Sequence, residues 1–415
     1  AVLEGLDSLE AGSAVRSGRG FAALAAAEQD GLLGGLAETS WFSRLVEIVS
    51  LGVYADPGNG GNGGAASWGW LGYRHGLPEG PSGPARRHPV RPSPSSAPGD
   101  DYDVVVVGAG AGGGIAACVL AEAGKSVLLV ERGHMLTYAD SGHRDHLRNH
   151  RLSRYGNNTG PDPEGSPRVF VDQQGRARCV RPHEFEYHSN ASCVGSGTFV
   201  YGGLAWRFHP DDFRMASRYG VPENSSLADW PIGIDDLAPF YEQAEWEIGV
   251  AGEPTASCGL SAPARGFPLP PVPRYRAGDL LHRGADRLGL ETFAPPLLVN
   301  TAPRGGRGAC IECGSCVGFP CPSDARNGTH NTAIPRALAT GRCQLLTETF
   351  VEKIETDAAG KVTGVRLRTR KDGGVHARRF VRSRAVVLSA GAIETARLLL
   401  LSANGREPDG LGNGR

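Results

Sequence analysis

Residues 101–133 read DYDVVVVGAGAGGGIAACVLAEAGKSVLLVERG, and the rest of the chain is best read outward from them. Val104–Val107 is an unbroken β-branched run, as expected of a central parallel strand covered on both faces. It leads straight into Gly108, Gly110 and Gly113, the G-x-G-x-x-G spacing. Gly108 suits a tight turn, Gly110 leaves room for a pyrophosphate to approach the backbone, and Gly113 lets the next helix pack close to the sheet. Phosphates would then sit at a helix N-terminus, where unpaired N–H groups and the dipole favour anions. The second strand, from Ser126 to Val130, ends in Glu131, about twenty residues after the glycines, where an acid accepts from a ribose hydroxyl and disfavours a 2′-phosphate. Strand, turn, helix, strand and acid occur in that order, so the stretch predicts an α/β dinucleotide-binding fold. The spacing does not choose between NAD and FAD.

At 415 residues the chain is long enough for two or three domains with sizeable cores. A formal net charge of −1 points away from nucleic acid and from an acidic membrane surface. No apolar run approaches the roughly 20 residues that span a bilayer, so no transmembrane segment is expected. The opening AVLEGLDSLEAGSAVRSGRG lacks the basic and apolar regions of an export signal, and the chain does not begin with Met. A cytoplasmic location is the default expectation, and a periplasmic one follows only if a signal precedes Ala1. Nine cysteines do not make a disulfide scaffold in a chain of this length, but four of them fall within residues 310–321, as a metal or redox cluster would.

Taken in order, Phe21–Leu33 and Trp41–Val53 carry apolar residues at spacings near three and four and predict amphipathic helices. A turn-rich loop from Asp56 to Gly64 and the aromatics Trp68, Trp70 and Tyr73 follow. The DPGNGGN loop followed by SWGWLGY resembles the end of the small third subunit of the gluconate 2-dehydrogenase complex, against the plainer reading of a helical pair closed by a glycine loop. Residues 77–100 are rich in Pro, Ser, Gly and Arg and read as an extended linker. Met135–Tyr187 is polar with little periodicity and reads mostly as loop. Its histidines, and His134 beside it, have no carboxylate at a recognised ligand spacing and read as solvated. Ile234–Ile248 is the amphipathic helix of the following region.

The stretch SNASCVGSGTFVYGGLAWRFHPDDF (residues 189–213) brackets small and aromatic side chains with Gly195, Gly197, Gly202 and Gly203, a composition that lets backbone lie against a flat ligand. Val386–Gly391 is again a buried strand running into a glycine turn and a helix. Together with the opening motif, this block, DWPIGIDDLAPFYEQAEWEIGV (229–250) and VVLSAGAIETARLLLLS (386–402) resemble the glucose-methanol-choline (GMC) oxidoreductases, most of all the gluconate and sugar dehydrogenase flavoproteins. The resemblance covers about residues 100–405 in the family's order.

It implies FAD rather than NAD, and oxidation of an alcohol or sugar CH–OH group with hydride passing to flavin N5 and electrons going on to an acceptor or cytochrome-like partner. Gly108, Gly110 and Gly113 would hold the pyrophosphate and Glu131 the adenosine ribose. Gly195, Gly197, Gly202 and Gly203 would lie beside the flavin. Phe350 and Val351 would approach the adenine through backbone groups, and Ala390, Gly391 and Ala392 would begin a helix facing the cofactor. The implied architecture is α/β: a Rossmann-like FAD-binding domain over residues 101–230 and 305–415, part of a substrate domain over 231–304, a linker at 77–100 and a small helical segment at 1–76.

Cys310, Cys313, Cys316 and Cys321 form C-x2-C-x2-C-x4-C-P, one residue longer than the bacterial ferredoxin run. Some sugar dehydrogenases of the resembled family carry an iron–sulfur cluster in the matching region. An iron–sulfur cluster, structural zinc, a disulfide and free thiols near the flavin all stay open. Family members continue beyond the GAIETARLLLLS helix to the histidine, with a second histidine or asparagine, that removes the alcohol proton. No residue here matches that pair, so no catalytic residue is named and the chain is expected to stop short of it. The rival expectation is a non-catalytic FAD or iron–sulfur electron-transfer subunit.

Overall fold

The computed structural model describes residues 2–36, 39, 41–42, 45–46, 99–137, 167–181, 191–253, 263–314, 316–371 and 374–413. Among these, the residues up to 46 form one compact unit and those from 99 onward another. In the first, Val2–Ser17 is α1 and Ala26–Gly34 is α2, with a 3-10 turn at Phe21–Ala23 between them. The continuous helix expected over Phe21–Leu33 is corrected here. Leu24 is extended (ψ 152°), and α2 begins only where the Glu28 carboxylate reaches back to the Ala25 N–H at 2.8 Å. Helix α1 falls within the small helical segment expected at 1–76, although Gly5 and Gly12 interrupt its apolar spacing. Most of Trp41–Val53, the glycine loop, the aromatic segment to Tyr73 and the linker up to residue 98 lie outside the described residues.

The second unit is built on β1 (Asp101–Val107), α3 (Ala111–Glu122) and β2 (Val127–Val130). Next come the hairpin β3 (Arg168–Val171) and β4 (Ala177–Val180), then α4 (Met215–Tyr219), α5 (Ile234–Ile248), α6 (Arg276–Arg287) and α7 (Ala333–Ala339). Strands β5 (Cys343–Leu346), β6 (Thr349–Thr356), β7 (Val362–Lys371) and β8 (Gly374–Leu388) precede α8 (Ala392–Leu401). Six strands form one sheet in the order β5-β2-β1-β8-β7-β6. Strand β1 runs parallel to β2 and β8, and β2 parallel to β5, while β7 pairs antiparallel with β6 and β8. The length of β8 explains the mixture: its first part pairs with β7 and its last part, Arg382–Leu388, with β1.

The valine run is what this position demands. Val104 and Val106 pack on one face with Ala117, Cys118 and Ala121 of α3 and with Ile334 and Ala337 of α7. Val105 and Val107 pack on the other with Ile354, Val365, Leu367 and Leu398. Alternate side chains of one strand thus enter two cores, and every position must be apolar. The small residues of α3 let it approach the sheet closely.

Met135–Tyr187, read as mostly loop, contains the hairpin β3–β4. Asp172 makes it: its Oδ1 accepts the N–H groups of Gln174 and Arg176, each at 2.9 Å, and closes a turn that a strand-by-strand reading of polar sequence passes over. Of its histidines, His143, His146, His150 and His183 lie outside the described residues.

Candidate cofactor site

A cavity of about 820 Å³ opens at the carboxyl ends of β1, β2 and β8, within the size range of small-molecule sites. Two helix N-termini face it, since Gly110 caps α3, Gly391 caps α8, and both residues line the cavity. Each presents N–H groups and the positive end of a helix dipole, so their convergence favours an anionic ligand.

The turn after β1 admits no side chain at two positions. Gly108 has φ +98°, and a Cβ there would lie 2.4 Å from the Ser389 carbonyl oxygen. A Cβ at Gly113 would lie 1.8 Å from the Gly108 carbonyl oxygen, inside any permitted contact. At Gly110 the nearest neighbour would be Ser196 Cβ at 3.2 Å. The turn is held from several sides. The Glu131 carboxylate accepts the N–H of Ala109 at 3.0 Å and of Gly133 at 2.9 Å, the Gly195 N–H donates to the Ala109 carbonyl at 2.9 Å, and the Thr329 hydroxyl donates to the Gly110 carbonyl at 3.1 Å. Burial pushes the Glu131 carboxyl above the usual carboxylate range, against the lowering by the Ala109 and Gly133 N–H groups.

Of the residues expected at a cofactor, Gly108, Gly110, Glu131, Gly197, Phe350, Val351, Ala390, Gly391 and Ala392 line this one cavity. Four do not. Gly113 is buried beneath the Gly108 carbonyl, so its part is packing. Gly195 caps the 3-10 turn Ser196–Phe199 against His330, and Gly202 and Gly203 back onto Val317 and Val299. In their place Ser196, Thr198 and Tyr201 form that wall. Sequence reasoning also passes over Arg132, Ser389, Glu394 and Arg397, which line the cavity. Arg132 directly follows the acid at the end of β2, and Glu394 falls in the first turn of α8; those were the available signals.

The cysteine loop packs behind the same wall. The Gly318 N–H donates to the Val200 carbonyl at 2.8 Å, and the buried Arg326 guanidinium donates to the carbonyls of Phe199 at 2.6 Å, Phe319 at 2.5 Å and Cys316. Its charge also lies over the Tyr201 ring, 5.7 Å from the centroid. Among the described residues, no three His, Cys, Asp or Glu side chains come together as a group that could hold a metal ion. Cys310, Cys313, Cys316 and Cys321 form no disulfide, and the Arg326 guanidinium collects the loop carbonyls of Cys316 and Phe319. Burial raises the thiols of Cys310 and Cys316, which keeps both protonated near neutrality. Of the other cysteines, Cys118 in α3, Cys193 and Cys343 are buried, Cys179 is exposed, and Cys258 lies outside the described residues.

His209, near the glycine-rich block, caps the 3-10 turn Pro210–Arg214 by accepting the Asp211 N–H at 3.2 Å, and is absent from the cavity wall. Among the described residues no helix is long and apolar enough to cross a membrane.

Comparison with known proteins agrees with this geometry. Residues 272–414 match the family model for GMC oxidoreductases, and residues 103–160 that for an FAD binding domain. The 6'''-hydroxyparomomycin C oxidase of Streptomyces lividus is 32% identical over 342 residues, covering 80% of this chain and 55% of that protein. The paromamine 6'-oxidase of Streptomyces fradiae is 32% identical over 312 residues, 75% of this chain and 51% of that protein. The fructose dehydrogenase large subunit of Gluconobacter japonicus is 30% identical over 320 residues, 75% of this chain and 56% of that protein. The chain spans about half the length of these relatives.

Proposed function

The chain belongs to the GMC oxidoreductases, with FAD as cofactor, and from that premise we propose that it forms the cofactor-holding part of an enzyme that oxidises a CH–OH carbon of a sugar-like or other small alcohol. The observation that carries the reading is the cavity at the ends of β1, β2 and β8, where a turn closed to side chains, two helix N-termini and Glu131 meet. Those features fit FAD. The N–H groups at the start of α3 suit the diphosphate, Glu131 keeps lone pairs for a ribose hydroxyl beyond the two N–H groups it already accepts, and Phe350 and Val351 suit the adenine edge. The start of α8 at Gly391 adds a second positive helix end, and Ser196, Thr198 and Tyr201 wall the remaining part of the cavity.

When bound, the flavin supplies the hydride acceptor. What this chain supplies is orientation and exclusion of water: the glycine turn fixes the phosphates, the acid fixes the turn, and Tyr201 is locked by its hydroxyl donating to the Asn327 carbonyl at 2.6 Å. The names of the hydroxyparomomycin and paromamine oxidases and of the fructose dehydrogenase support a sugar-like hydroxyl as donor. The test is the visible spectrum of the purified chain, with acid release and identification of the flavin. Anaerobic addition of amino sugars, sugars, sugar acids and primary alcohols then reads out flavin bleaching. A folded chain that binds NAD and has no affinity for FAD would overturn the proposal.

A further inference from the structure

Segments remote in sequence send charged side chains to one carboxylate on the cavity wall. Glu394, in the first turn of α8, accepts from Arg132 at 3.0 Å and from Arg168, with Arg397 at 3.8 Å. Arg132 follows β2 directly and Arg168 opens β3. Arg132, Glu394 and Arg397 all line the cavity.

The sheet order places this link. Strands β2 and β8 are the two neighbours of β1, so a bridge from the residue after β2 to the helix after β8 passes across the carboxyl end of β1. The span is two strand spacings, about 9.5 Å, within reach of an arginine and a glutamate extended toward each other. The Gly108–Gly110 turn and the start of α3 lie at that same end of β1. The Arg132 and Glu394 side chains are only 17% and 13% exposed, so solvent and salt screen them less than a surface pair. Three guanidinium groups approach this one carboxylate beside the place where two phosphates are expected.

We propose that the Arg132–Glu394 pair, braced by Arg168, is a clasp across the mouth of the dinucleotide site that sets how long FAD stays bound. The inference rests on the cofactor reading above. A pair serving the fold alone would sit against protein on all sides, whereas this one is part of the cavity wall.

The experiment is the rate of FAD release from the full chain after dilution into flavin scavenger, followed by recovery of flavin fluorescence, for the unaltered protein, E394Q, R132Q and the double variant. Release is expected to be about five- to tenfold faster in each single variant, the loss of one partly buried ion pair, and no faster in the double. Added salt should speed release in the unaltered protein more than in the double variant. R132K, which keeps the charge and loses the planar fork, should fall between. Variants that lower the melting temperature of the flavin-free protein yet release FAD at the original rate would make the pair structural and overturn the clasp alone. Failure of the unaltered chain to bind FAD would overturn the cofactor reading and the clasp with it.

Discussion

The Glu131 carboxylate accepts the backbone N–H of Ala109 at 3.0 Å, so the acid that ends β2 also sets the turn that ends β1. Its second oxygen accepts the Gly133 N–H at 2.9 Å. An acid in this fingerprint is usually discussed for a ribose contact; here its carboxylate is part of the scaffold that holds the glycine turn.

Glu131→Gln should therefore damage the flavin-free protein as well as its cofactor affinity. The amide nitrogen must face one of two N–H donors, which leaves a buried donor unsatisfied and costs about 1–3 kcal/mol. Urea unfolding of the flavin-free protein measures this. A variant as stable as the parent, with only FAD affinity reduced, would confine Glu131 to the ribose.

The pH dependence of the same protein should carry two opposite contributions. Burial raises the native Glu131 carboxyl above its unfolded value of about 4.3, so its contribution is full below that value and is lost as pH rises through the native one. For Glu394, burial works upward, but Arg132 and Arg168 outweigh it and hold the carboxyl low. Its contribution is present above about pH 4.3 and is lost as pH falls through the native value. Unfolding free energies measured across acidic and neutral pH should show the fall on the alkaline side flattened in E131Q and the fall on the acid side flattened in E394Q. Unchanged profiles would refute the assignment.

Two glycine-to-alanine changes separate packing from cavity. At Gly113 the added Cβ would meet the Gly108 carbonyl oxygen at 1.8 Å, so G113A should cost about 3 kcal/mol and distort the phosphate turn. At Gly197 nothing lies within 4 Å, so G197A should leave stability within about 0.5 kcal/mol and act only on the cavity it lines. Thermal unfolding with and without FAD distinguishes them, and equal effects at the two sites would contradict the geometry.

The Arg207–Glu245 pair anchors the glycine-rich block to α5. It is bidentate, with both N–O distances 2.7 Å, and its side chains are 8% and 6% exposed. R207A strands a buried carboxylate and should cost about 3–5 kcal/mol, while replacing both partners by Met should cost far less. Chemical denaturation of the two variants checks this. A single variant as stable as the double would show that the charge is not stranded.

Much of the fold was legible in local pattern because local pattern is what a doubly covered parallel strand, a glycine turn and an amphipathic helix require. The valine run, the Gly108–Gly113 spacing, Glu131, the helix Ile234–Ile248 and the strand-to-helix passage at Gly391 could each be read from neighbours in the chain. The tertiary structure decided what depends on segments meeting. It closed the β3–β4 hairpin through Asp172, turned Gly202 and Gly203 away from the cavity, and wound the cysteine loop about Arg326. It also brought Arg132, Arg168 and Glu394 together from positions up to 262 residues apart. Periodicity records which face of an element is buried, but carries nothing about which distant charge that face will meet. The order of strands in the six-stranded sheet sets the Arg132–Glu394 pairing.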